Sequence, residues 1–169
     1  KFINETEYVI VGIGGSSGKA RYLITRELIK KGLKPLNIIS ENSFVDNTSI
    51  IGNSFQAMPG SLVHSNSIIG DCVIVNTNAV IDHECIVGNG CHFMGSSAVA
   101  GRVTIEDYVT VGTNATILPN LKIGSNVYIG AGAVVINDIP ANQVVVGNPA
   151  KFLRMNEQKY DISFFNKNP

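Results

Sequence analysis

The 169-residue sequence predicts a mainly β chain, a parallel β-helix of six-residue repeats preceded by a short, partial α/β segment. Three observations predict it. Stepping by six from Val45 meets Ile51, Ala57, Val63, Ile69, Val75, Ile81, Val87, Phe93, Val99, Ile105, Val111, Ile117, Ile123, Ile129 and Val135, and all but Ala57 and Phe93 are Val or Ile. The residue two places earlier is mostly small (Ser49, Ser61, Ser67, Ala79, Cys85, Cys91, Ser97, Ala115, Ala133), so the two point inward together at strand spacing. Gly and Asn collect between these pairs, at Gly52, Asn53, Gly70, Gly88, Asn89, Gly112, Asn114, Gly124, Asn126 and Gly130, where corners of positive φ are expected.

Three such sides close a triangular coil of roughly eighteen residues, giving about five coils stacked roughly 4.8 Å apart. Hairpins would need turn signals at irregular strand lengths, whereas every side here is equally long. One coil alone is unstable, and the stack needs caps at its ends. The division expected is residues 1–40 as the α/β segment, 41–154 as the β-helix and 155–169 as a tail.

In the front segment, Tyr8–Val11 reads as a short strand leading into Gly12, Gly14, Gly15 and Gly18. Ala20–Lys31 follows as an amphipathic helix with Leu23, Leu28 and Ile29 inward and Gly32 as its stop, and Leu36–Ile39 suits a second strand. A glycine-rich strand-to-helix turn can hold a phosphate on backbone N–H groups, which makes Gly12, Gly14 and Gly15 candidate substrate-binding residues. The spacing departs from the dinucleotide fingerprint, and a purely structural turn is the other reading. After the repeats, Val144–Val146 reads as a last strand, followed by a tight turn and the basic pair Lys151 and Arg154. The tail carries Phe164 and Phe165.

Thirteen basic residues balance thirteen acidic ones, which argues against nucleic acid or anionic lipid as a partner. No apolar run approaches the ~18 residues of a membrane span. Cys72, Cys85 and Cys91 lack metal-type spacing, and free thiols in a reducing cytoplasm are expected; Cys85 and Cys91 read as core filler. No metal is expected. The first residue is Lys1, so the chain is read as a piece of a longer product.

The repeat ladder, Asp82-His83-Glu84-Cys85 and the closing Gly147-Asn148-Pro149-Ala150-Lys151 resemble the hexapeptide-repeat sugar acetyltransferases, the group of sialic acid O-acetyltransferases and bacillosamine-pathway UDP-amino-sugar N-acetyltransferases. The resemblance runs from about Glu7 to Arg154. It implies a left-handed helix and a homotrimer binding acetyl-CoA in clefts between subunits. Members of that group usually begin with a nucleotide-binding half whose Gly-Gly-His-Gly loop holds UDP. That half is missing here, and Tyr8–Gly32 looks like the second half-domain unit instead.

The repeat itself sets out a candidate site. His83, two places after inward Ile81, projects from a corner, and one coil later stands Gly101, which leaves room and an exposed N–H above the imidazole. Glu84 is the candidate to orient the ring, with Asp82 a second one. Such a pair suits general-base catalysis near neutral pH, and a solvent-exposed corner histidine is the alternative. The mechanism expected is direct transfer, with His83 as base and the Gly101 amide steadying the oxyanion.

By the resemblance, His92 matches a histidine near the acetyl site across the subunit cleft, against a simple interface role. Gly112 and Thr113 match the pantetheine channel. Lys151 and Arg154 suit CoA phosphates, against a solvated basic end, and His64 reads as surface. The function expected is acetylation of the amine of a nucleotide-linked amino sugar. O-acetylation of a sialic acid or other glycan hydroxyl is the alternative, and a non-catalytic binding or scaffold β-helix is the alternative from another class. A zinc hydrase would need three converging histidines, which the spacing of His64, His83 and His92 does not match.

Overall fold

The computed structural model describes residues 6–157. Its core is a left-handed parallel β-helix whose strands, of two residues except at the C-terminal end, fall into three sheets of eight, six and five strands. The first face runs from Ile38–Ile39 through Gln56–Ala57, Ile74–Val75, His92–Phe93, Thr110–Val111 and Tyr128–Ile129 to Gln143–Val146. The second includes Val80–Ile81 and Ala98–Val99, and the third includes Ile50–Ile51, Ile68–Ile69, Ile86–Val87, Thr104–Ile105 and Lys122–Ile123. Partners across neighbouring coils are eighteen residues apart, as in Val80 with Ala98 and His92 with Thr110, until the closing coil, where Tyr128 pairs with Val144 and Ile123 with Ile139 at sixteen.

Inside the prism the expected inward pairs are buried, Ala79 with Ile81, Cys91 with Phe93, Ala115 with Ile117. At ~1.5–3 kcal/mol per buried branched side chain, this column is a large favourable contribution to folding. The stack is longer than the five coils expected, about six, because Ile38–Ile39 and Gln143–Val146 add strands at its ends. Lys151–Met155 then folds back antiparallel on Gln143–Val146, so the basic pair expected after the turn lies on a strand. Asn156 closes this end through bonds to Asn126. Phe164 and Phe165 lie outside the described residues.

The corners differ from expectation in a regular way. Left-handed φ recurs at every sixth residue from Ser54 to Gly132, and among these are Cys72, Glu84, Arg102 and Tyr108 as well as Asn and Gly. Of the expected corner residues only Asn114 and Asn126 adopt it. The bend turns that residue's N–H toward the preceding coil, where Glu84 donates to the Ser65 carbonyl at 2.9 Å and Arg102 to that of His83 at 2.9 Å. Glycines such as Gly52 and Gly70 serve instead where coils touch. A Cβ on Gly52 would stand 2.6 Å from the Gly70 carbonyl carbon.

The front segment forms β1 (Tyr8–Val9), α1 (Gly18–Lys30) and β2 (Lys34–Pro35), with β1 and β2 parallel. The strand expected over 36–39 is corrected, since the partner of β1 is the earlier Lys34–Pro35 and only Ile38–Ile39 of that range is strand, in the helix stack. The inward stripe of α1 is also corrected. Gly18, Arg21 and Thr25 are buried, Leu23 and Leu28 are only partly so, and Ile29 is 36 % exposed. Apolar periodicity missed this face because what it meets is not an apolar core but the backbone of the first face. Gly18 lies so close that a Cβ would overlap the Gly90 carbonyl oxygen. Arg21, 0 % exposed, donates to the carbonyls of Cys72, Gly90 and Cys91 in the stack and of Ile13 in its own segment. Gln56 Nε2 donates to the Val11 carbonyl at 3.2 Å, and His92 Nδ1 donates to that of Gly15 at 2.9 Å.

Two predictions follow from this docking. Arg21→Met, which leaves buried carbonyls without a charged donor, should destabilise the docked segment by about 3 kcal/mol or more. Limited proteolysis should then cut before Ile38 while the helix stack survives, and unchanged resistance would count against this role. Burial holds the His92 imidazole below its ordinary 6.5, with the Gly15 bond opposing. Its contribution to stability is thus complete above that value and lost as pH falls through the depressed one. The thermal midpoint of the wild type should drop more than that of His92→Gln between about pH 7.5 and about pH 5.5. Equal slopes would reject the assignment.

Candidate functional site

The corner between the second and third faces carries the acid–base residues. His83 follows the strand Val80–Ile81, and its ring is 40 % exposed. Nδ1 lies 2.8 Å from Glu84 Oε2. A carboxylate only accepts, so Nδ1 is the donor and Nε2 is left with a lone pair. Asp82 does not share this task, because its Oδ1 accepts from the His83 backbone N–H at 2.7 Å. Left-handed φ at Glu84 places its carboxylate beside the ring, and Arg102, on the same corner one coil on, reaches that carboxylate at 3.9 Å.

Gly101 stacks on His83 as the eighteen-residue coil requires, but the space it leaves is filled by the imidazole itself. A Cβ there would stand 2.6 Å from His83 Nε2 and 2.7 Å from Cε1. Corresponding N–H groups on another edge are taken, as Asp71 donates to Asn89 Oδ1 at 2.9 Å and Asn89 to Asp107 Oδ1 at 2.7 Å. The Gly101 N–H meets no acceptor among the described residues.

The other candidates lie elsewhere on the chain. His92 is buried on the first face beneath the front segment, with Asn76 Nδ2 3.4 Å from its Nε2. Gly112 and Thr113 occupy the corner between the first and second faces. Gly112 is buried against the next coil and Thr113 is exposed. Gly12, Gly14 and Gly15 are exposed in the loop before α1, Gly14 near the His92 ring. Lys151 and Arg154 are exposed on the last strand. One chain thus unites His83, Glu84 and Gly101 and leaves the proposed cofactor contacts on other edges.

Burial pushes the Cys91 thiol up to about 12 and raises those of Cys85 and Cys72, so all three are poor nucleophiles. Among the described residues no group of three or more His, Cys, Asp or Glu side chains is placed to hold a metal ion, and no helix is long and apolar enough to cross a membrane. A hollow of about 370 Å³ on the third face is lined by Thr104, Glu106, Lys122 and Asp138 and contains none of the His83 edge. That edge is an open ridge. The residue missed in the sequence is Arg21, whose only signal was a polar side chain in the stripe Gly18, Arg21, Thr25.

Known proteins share the repeat and the fold. Residues 102–137 match the family described as bacterial transferase hexapeptide (six repeats). Serine acetyltransferase 2 of Arabidopsis thaliana is 43 % identical over 42 residues, which are 25 % of this chain and only 13 % of that protein. Among solved structures, PerB from Caulobacter crescentus, in complex with CoA and GDP-perosamine, superposes with a TM-score of 0.87 at 30 % identity, covering 90 % of this chain and 73 % of that one. The acetyltransferase domain of PglB from Neisseria gonorrhoeae, in complex with acetyl coenzyme A, superposes with a TM-score of 0.86 at 31 % identity, covering 90 % and 75 %. With identity of this level across most of both chains, the protein belongs to the family of hexapeptide-repeat sugar acetyltransferases.

Proposed function

We propose that the chain acetylates the amine of a nucleotide-linked amino sugar, with acetyl-CoA as donor and His83 as general base. The observation that carries this reading is the edge geometry: a ring held at Nδ1 by Glu84, with a bare Nε2 lying against Gly101. Acetyl-CoA supplies the acetyl group as a thioester. His83 Nε2 takes the proton of the attacking amine and returns it to the departing sulfur. The Gly101 N–H donates to the carbonyl oxygen as charge gathers there. Glu84 holds the imidazole in the required tautomer and balances its transient charge. No covalent enzyme intermediate is needed, in keeping with the buried, protonated cysteines. The choice of amine over hydroxyl is supported by a related perosamine N-acetyltransferase of Caulobacter crescentus. That enzyme was also solved, with CoA and GDP-perosamine, as variants replacing one histidine by asparagine or alanine.

The working unit in this reading is a homotrimer. On the third face, next to the His83 edge, Ile50, Ile68 and Ile86 form an outward stripe at 65 %, 46 % and 50 % exposure. A second copy against this face would cover the stripe and turn the ridge into a cleft. Gly112 and Thr113, or Lys151 and Arg154, would then come from the neighbouring copy to line the CoA channel, whereas His92 stays buried beneath its own front segment. Gly12, Gly14 and Gly15 would meet the acceptor.

The deciding assay is release of free thiol from acetyl-CoA over a panel of UDP- and GDP-linked amino sugars and sialic acids, which also separates amine from hydroxyl acceptors. His83→Ala should lower kcat at least about 100-fold with CoA affinity unchanged. Gly101→Ala, whose Cβ would push the ring aside, should lose a comparable factor. Full turnover in His83→Ala would end the assignment. Ile68→Glu should give monomers that keep the β-helix circular dichroism spectrum, and a trimeric mass for that variant would move the interface elsewhere.

A further inference from the structure

The edge that carries His83 holds a second imidazole that the transfer chemistry does not use. His64 lies one coil earlier, its ring centroid 6.3 Å from that of His83 and the planes at 74°. At this corner position a side chain can serve the backbone only by accepting from the next N–H, and Ala100 in the same column shows that the fold tolerates the absence of such an acceptor. Asp82 accepts in this way from His83 at 2.7 Å, and Asn76, on a different edge, from Thr77 at 2.7 Å. His64 does the same with Nδ1, which accepts from the Ser65 N–H at 2.8 Å. A short carboxylate or amide would serve the backbone equally, so the ring is surplus to folding.

The cap also decides the tautomer. With Nδ1 as acceptor, the neutral His64 ring carries its proton on Nε2 and is a donor there. His83 is arranged the opposite way, with Nδ1–H held by Glu84 and Nε2 an acceptor. Two exposed neighbouring rings thus offer one donor and one acceptor to the same small region. Nε2 of His64 meets no protein acceptor among the described residues.

We infer that His64 binds the acceptor sugar, its Nε2–H donating to an oxygen on the carbon next to the amine that His83 deprotonates. This rests on the acetyl-transfer reading and narrows the substrate class to sugars with a hydroxyl adjacent to the reacting amine. A substrate without that oxygen leaves the His64 donor facing a group that cannot accept.

The test uses steady-state kinetics of the chain on GDP-perosamine, its analogue lacking the hydroxyl beside the amine, and every other panel acceptor that turns over. His64→Asn keeps the cap through Oδ1 and, because the shorter amide cannot reach as far as the ring, withdraws the Nε2–H. It should raise KM for the acceptor about tenfold, leave KM for acetyl-CoA and the thermal midpoint unchanged, and no longer distinguish a sugar from its deoxy analogue. The wild type should lose the same factor on the deoxy analogue. Wild-type KM in His64→Asn overturns the inference and leaves the acetyl-transfer reading standing, and so does an equal rise in both KM values. A wild type that releases no thiol with any acceptor removes that reading and this inference together.

Discussion

The structure depends on a backbone constraint that recurs at every corner. A residue with left-handed φ stands at each sixth position from Ser54 to Gly132, and from Gly60 onward its N–H reaches a carbonyl of the coil before, except at Asn66, whose N–H goes to Thr48 Oγ1. That conformation costs a residue with a side chain roughly 1–2 kcal/mol. It is tolerated at Glu84, Arg102 and Tyr108 because each bend gains a hydrogen bond and sets up the next strand pair. The stack then has no freedom of register. Eighteen residues make one lap up to the closing coil, which takes sixteen, and in the regular coils a side chain sits directly over its counterpart in the next.

Chemistry follows from that lap length. Asp46, His64 and Asp82 occupy one corner column, and Ser65, His83 and Gly101 the next. Each column repeats one geometric role, so a residue differing in kind from its neighbours stands out against the backbone's own needs. Gly101 is such a case, since a side chain there would collide with the imidazole. Glu84 is another. It bends the backbone and presents the carboxylate that orients His83, so the same corner both closes the coil and prepares the base.

The front segment shows how a helix can dock without an apolar seam. Its buried face is glycine, arginine and threonine, because it meets backbone carbonyls rather than side chains. Arg21 joins the two units through bonds to both, and His92 adds a link to the glycine loop. The segment covers part of the first face. Among the described residues nothing covers the isoleucine stripe of the third face, beside the corner where His83 stands.

The sequence by itself determined the repeat, the inward pairs and the stacking of His83 on Gly101, because all three depend only on counting sixes and eighteens. It also named Glu84 as the residue to orient the base, with Asp82 as a second candidate. Tertiary structure separated the two, since only the folded corner shows Asp82 spent on a backbone N–H while Glu84 reaches the ring. It likewise decided which residue bends each corner, where bulky Tyr108 and charged Arg102 violate local preference and stacking overrides it. The buried stripe of α1 was decided there too. Hydrophobic periodicity reports contact with apolar side chains, and Arg21 is buried against backbone carbonyls supplied from seventy residues away.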